Sequence, residues 1–118
     1  MIGIDILEIE RIAQIKDLDA FLRKYFSEKE IEYVSAKLDK NQTIAGMFCA
    51  KEAVLKAFKI GIGKIALKSV EILHFSSGAP YLFCNQEILD LLKQNGLSRV
   101  EISISHSQNY AVAVCRLD

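Results

Sequence analysis

Charge of one sign is what this sequence most clearly lacks. Fifteen lysines and arginines stand against fifteen aspartates and glutamates, so no bulk field draws the chain to nucleic acid or to a membrane surface. Long apolar runs are missing too: no stretch approaches the ~20 residues needed to cross a bilayer. The first eight residues carry acids and no basic leader, so no secretory signal is expected. Cysteine is scarce and odd in number. Cys49, Cys84 and Cys115 are widely spaced in apolar surroundings, which argues against a disulfide framework or a zinc site and fits reduced thiols in a cytoplasmic protein. One proline and six glycines leave no linker, repeat or low-complexity tract.

Apolar residues, by contrast, are plentiful. They make up 51% of 118 residues, which excludes disorder and suits a single domain over residues 1–118. A chain of this length buries roughly 65% of the surface it exposes when unfolded.

The periodicities give an element order. Ile2, Ile4 and Ile6 alternate with Gly3, Asp5 and Leu7, as in a strand packed on one face. Asp5 then points away from the isoleucine face, beside Gly3, where a missing side chain admits a close neighbour. Leu18, Phe21, Leu22 and Tyr25 form the apolar stripe of a short helix over residues 17–25. Ser27 followed by Glu30 is a capping box for a helix over 28–37. A polar break at residues 37–41 precedes a long helix from about Gln42 to Lys59, stopped by Gly61 and Gly63. Strands are expected over Ser69–Phe75 and Tyr81–Cys84 around a Ser-Ser-Gly-Ala-Pro turn, then a helix over 86–95 capped by Asn85. A second hairpin pairs Val100–Ser105 with Tyr110–Arg116. The order β-α-α-α-β-β-α-β-β makes the class α+β, with a mainly antiparallel sheet.

On the long helix, Ile44, Met47, Phe48, Leu55 and Phe58 form a core stripe, and Ala45, Cys49, Glu52 and Lys56 form its neighbour. Lys51 falls inside the apolar stripe, so it must snorkel, find an anionic partner or lie at an interface. Glu52 and Lys56 are four apart and share a face. As a solvated pair they are worth only roughly 0.3–0.5 kcal/mol. With Asp5 as a second acid they suit a hard cation, because magnesium takes one or two carboxylates and fills its other positions with water and phosphate. His106 ends a strand; it is either satisfied by backbone and water or placed to meet a phosphate or base edge. Gly61-Ile62-Gly63-Lys64 follows a helix rather than preceding one, so it reads as a helix stop and not as a phosphate loop.

Four segments in order resemble the holo-acyl-carrier-protein synthase family, the small 4′-phosphopantetheinyl transferases. They are Gly3 to Ile12, Phe48 to Phe58 with Gly61-Ile62-Gly63, Gly78-Ala79-Pro80-Tyr81, and Ser103 to Ser107 with Tyr110-Ala111. The resemblance spans nearly the whole chain. It implies a 4′-phosphopantetheinyl transferase-like fold, with the sheet packed against the long central helix. It implies transfer of the 4′-phosphopantetheine arm from coenzyme A to a serine of apo-acyl carrier protein, releasing adenosine 3′,5′-bisphosphate, in fatty acid biosynthesis. It further implies Mg2+ held by Asp5 and Glu52, Lys56 against the phosphates, and His106 at the nucleotide end. Glu52 or a metal-bound water is then the base, Arg11 meets the acidic carrier, and active sites lie between the subunits of a homotrimer; Arg23 and Lys24, outside the matching segments, either join Arg11 or form a solvated face. Met47 and Ala79 stand where family members often carry arginine and lysine, so Lys51 or Lys64 is expected to help hold the nucleotide phosphates. The competing class is a non-catalytic module that recognises a phosphorylated ligand or a carrier protein.

Overall fold

In the computed structural model the described residues are 1–61 and 63–118. Ile62, within the expected glycine stop, lies outside them. The elements run β1 (Ile2–Glu8), α1 (Glu10–Ala13), α2 (Leu18–Tyr25), α3 (Glu28–Ser35), α4 (Lys40–Ala57), a 3₁₀ turn (Leu67–Ser69), β2 (Ile72–His74), β3 (Pro80–Leu82), α5 (Gln86–Gln94), β4 (Val100–His106) and β5 (Tyr110–Leu117). The expected order is therefore found, with the single turn of α1 added.

Side-chain caps set the helix starts. Asp17 accepts from Ala20 N at 3.0 Å, Asp39 from Gln42 N at 3.1 Å and Asn85 from Ile88 N at 3.0 Å. The Asp39 cap starts α4 two residues before the expected Gln42. Ser27 and Glu30 close the capping box that the sequence announces. The strand expected over Ser69–Phe75 is shorter, because Leu67–Ser69 winds into the 3₁₀ turn, with Ser69 N donating to Ala66 O at 2.9 Å.

Two antiparallel sheets form, one of order β1-β5-β4 and a separate β2-β3 hairpin. Register places Gly3, Asp5 and Leu7 opposite Cys115, Ala113 and Ala111 on β5, and those opposite Ile102, Ile104 and His106 on β4. Directly paired residues share a face, so Asp5, His106 and these small β5 side chains all look toward α4.

That assignment reverses one expectation. The alternation in β1 is correct, but the packed face is the glycine side, and Ile2, Ile4 and Ile6 lie outward, 69%, 61% and 64% exposed. The cause is steric. A Cβ on Gly3 would collide with the Ala53 carbonyl of α4, and Ala111, Ala113 and Cys115 are fully or almost fully buried beneath the same helix. Small residues on both partners let helix and strand backbones approach closely, whereas isoleucines on that face would hold them apart.

Beyond its polar first turn, helix α4 is buried on most sides. Between Cys49 and Ala57 only Glu52 and Lys56 reach solvent. Lys51 is fully enclosed. Its ammonium donates to Glu30 Oε1 at 2.7 Å, Val70 O at 2.8 Å and Leu67 O at 2.9 Å. Glu30 also accepts from Ser27 N at 2.8 Å and Ile72 N at 2.9 Å, so one ion pair ties α3, α4, the 3₁₀ turn and β2 together. Burial lowers the proton affinity of Lys51 and the Glu30 charge works against that shift. The expectation that Lys51 binds cofactor or lies at an interface is thereby corrected. All three of its hydrogens are committed inside one chain, and none remains for a phosphate.

Candidate active site

Strand β1 and helix α4 bring Asp5, Glu52 and Lys56 together, although 47 residues or more separate Asp5 from the other two. Lys56 Nζ donates to Asp5 Oδ1 at 2.9 Å and to Ile4 O at 3.1 Å. Asp5 is the more enclosed partner, its side chain 19% exposed against 55% for Lys56. The hydrogen bond from Lys56 to Asp5, with the Asp5 charge, raises the proton affinity of the ammonium. Glu52 is half-buried and its carboxyl is raised above the ordinary range, first by burial and then by the Asp5 charge, with Lys56 opposing. Two neighbouring carboxyl groups, one of them already holding an ammonium, form a cation-seeking pair.

Cys49 lies one turn before Glu52 and was not singled out as a site residue. Its thiol meets the Ala111 carbonyl at 3.6 Å. Burial, reinforced by Asp5, pushes it up to about 12, which makes it an inert neighbour rather than a nucleophile. The only available signal in the sequence was its position on the Glu52 stripe.

A cleft of about 170 Å³ opens further along α4, lined by Thr43, Gly46 and Met47 of the helix, Tyr33 of α3, His74, Gly78 and Pro80 of the β2-β3 hairpin, and His106 of β4. Gly46 precedes Glu52 by six residues, or ~9 Å along the helix axis. The cleft and the acid pair thus sit on one helix at a spacing that an extended ligand can bridge. No lysine or arginine lines the cleft; its basic groups are His74 and His106. His74 stacks flat on Tyr33, with ring centroids 3.8 Å apart. Its proton affinity is lowered by burial and then by Lys37.

The remaining candidates lie apart. Lys64 lines a different notch with Glu87 and Asp90, so the help expected from it at the nucleotide phosphates has no geometric support. Arg11 is exposed on α1 beside Glu8 and Tyr110. Arg23 and Lys24 are exposed on α2.

Residues 1–115 match the family model described as the 4′-phosphopantetheinyl transferase superfamily. The holo-[acyl-carrier-protein] synthase of Finegoldia magna is 44% identical over 117 residues, covering 98% of this chain and 92% of that one. The crystal structure of the Helicobacter pylori holo-[acyl-carrier-protein] synthase in complex with coenzyme A superposes with a TM-score of 0.87 at 33% identity, covering 100% of both chains. That of the Neisseria meningitidis synthase gives a TM-score of 0.89 at 28% identity, covering 99% of this chain and 96% of the other.

Proposed function

Because this chain belongs to the 4′-phosphopantetheinyl transferase superfamily, we propose that its acid pair and cleft together carry out the family's transfer. The reaction is movement of 4′-phosphopantetheine from coenzyme A to a serine of apo-acyl carrier protein, leaving adenosine 3′,5′-bisphosphate. The observation that carries the site assignment is the convergence of Asp5, Glu52 and Lys56 beside a cleft on the same helix.

The residues fit a magnesium ion. Two carboxylate donors, with the ammonium of Lys56 standing in as a cation on Asp5, match an ion that takes few protein ligands. Among the described residues no group of three or more acidic, histidine or cysteine side chains is placed to hold a metal, so water and substrate phosphate would have to complete the coordination. Asp5 and Glu52 would hold the ion, and it would supply charge neutralisation at the diphosphate.

The nucleotide end of coenzyme A occupies the cleft against His106, with the diphosphate toward Glu52. The serine Oγ attacks the pantetheine-side phosphorus. The new O–P bond forms as the bridging P–O bond breaks, and the electron pair leaves on the 5′-phosphate of adenosine 3′,5′-bisphosphate. A carboxylate oxygen of Glu52 would accept the serine proton. Lys56 places its charge on the departing phosphate.

The outward face of the three-stranded sheet supports a homotrimer. Ile2, Ile4 and Ile6 are more than 60% exposed in one row, and an apolar row of that kind is a surface for a partner copy. Arg11 on the exposed surface of α1 meets the acidic carrier. Reduced cysteines, and no helix long and apolar enough to cross a membrane among the described residues, support a cytoplasmic setting.

The test is to mix the protein with apo-carrier, coenzyme A and Mg2+ and weigh the carrier by mass spectrometry. Gain of the pantetheine arm, lost on adding chelator and lost in Glu52→Gln, is expected. Full-rate transfer by Glu52→Gln rejects the proposed role of that acid, and carrier binding without mass gain supports a non-catalytic module.

A further inference from the structure

We propose that Lys56 is an internal counter-cation that occupies the metal position until a divalent ion arrives, and that its release couples metal binding to diphosphate binding. This rests on the metal-dependent reading above and concerns how that same site is regulated.

The geometry is specific. Two of the three ammonium hydrogens are placed on strand β1, one on Asp5 Oδ1 at 2.9 Å and one on the Ile4 carbonyl at 3.1 Å. Strand β1 is a sheet edge, so its outward carbonyls have no ladder partner, and Lys56 supplies a donor to one of them. The carboxylate oxygen that accepts this hydrogen bond belongs to the acid that would ligate the ion. Magnesium bonds such oxygens at about 2.0–2.1 Å. An ammonium 2.9 Å from Oδ1 would then stand within a few ångströms of a like charge in a partly desolvated site. Both cations therefore cannot hold Asp5 at full strength.

The two partners differ in freedom. Asp5 is mostly enclosed, whereas Lys56 is half-exposed on a four-carbon stem, so the lysine is the one that moves. Once displaced it is an unpaired cation beside a site built for an anion. A diphosphate draws Lys56 away from Asp5 and so eases entry of the ion. An ion frees Lys56 for the diphosphate. Each ligand removes an obstacle to the other, and linkage makes the effect equal in both directions.

The experiment titrates the intact protein with Mn2+ as the probe, reading free Mn2+ by electron paramagnetic resonance, with and without coenzyme A. Lys56→Met is expected to bind Mn2+ roughly two- to fivefold more tightly than the wild type without coenzyme A, the scale of losing an exposed ion pair. Coenzyme A then strengthens Mn2+ binding less in this variant than in the wild type. Lys56→Arg, which keeps the charge, stays near the wild-type affinity. A gain of affinity cannot come from misfolding, so the expected result is not open to that explanation. Equal or weaker Mn2+ binding by Lys56→Met overturns this inference alone. No Mn2+ binding by either protein, with or without coenzyme A, overturns the metal assignment as well.

Discussion

Lys51 offers the sharpest test of how this fold is held. Replacing it with methionine keeps the stem and removes the ammonium, leaving Glu30 at zero exposure without its counter-ion. Glu30 Oε1, Leu67 O and Val70 O all lose a donor. Glu30 Oε1 keeps Ser27 N and Leu67 O keeps Val70 N, so Val70 O is the acceptor left bare, at about 1–3 kcal/mol, and breaking a buried pair from one side costs about 3–5 kcal/mol. The Lys51→Met loss should therefore be about 3–5 kcal/mol, out of a typical total of about 5–15 kcal/mol. With a urea slope of about 1–3 kcal/mol/M, the midpoint falls by about 2 M, measured by far-ultraviolet circular dichroism. The double variant Glu30→Gln/Lys51→Met also removes the stranded charge, and a glutamine oxygen can still accept from Ser27 N or Ile72 N. It should lose no more than Lys51→Met alone, and the double-mutant cycle should show a coupling of at least about 1 kcal/mol. A loss below about 1 kcal/mol for Lys51→Met, or fully additive variants, refutes the claim that this pair ties α3, α4 and β2 together.

Gly3→Ala should cost about 1–3 kcal/mol, because the new methyl overlaps the Ala53 carbonyl; the same shift displaces Asp5, so thermal midpoint and transfer rate should fall together. Iodoacetamide on the native protein at pH 8 should label Cys84 well ahead of Cys49 and Cys115, both buried and pushed up to about 12, as peptide mass mapping will show. Ionised Glu52 opposes folding, since its folded carboxyl is raised by burial and by Asp5. The native state thus binds this proton more tightly than the unfolded one, and the cost is present above the raised value and fades as pH falls through it. In chelator, Glu52→Gln should melt higher than wild type at pH 7.5, with the gap closing at acid pH; a lower melting point at pH 7.5 contradicts this.

Much of the fold was legible because its signals are local. The Ser27–Glu30 capping box, the Asn85 cap and the β4-β5 hairpin each depend on neighbours in sequence, and each appears where the pattern placed it. The i,i+4 spacing of Glu52 and Lys56 likewise required only helical geometry. The β2 strand is shorter than its sequence suggests because the Leu67 and Val70 carbonyls turn inward to a lysine on another element, which local propensity does not register.

Local pattern was enough for the α+β order, the alternation of β1, the close-approach role of Gly3 and, through the four family segments, the reaction. Which face of β1 lies inward came from packing, since a period of two separates the sides of a strand without naming the buried one; small side chains on α4 and β5 settled it. Only the tertiary structure gave each charge its partner, because Glu30 and Lys51 stand 21 residues apart and Asp5 and Lys56 stand 51 apart, distances over which packing rather than periodicity brings charges into contact.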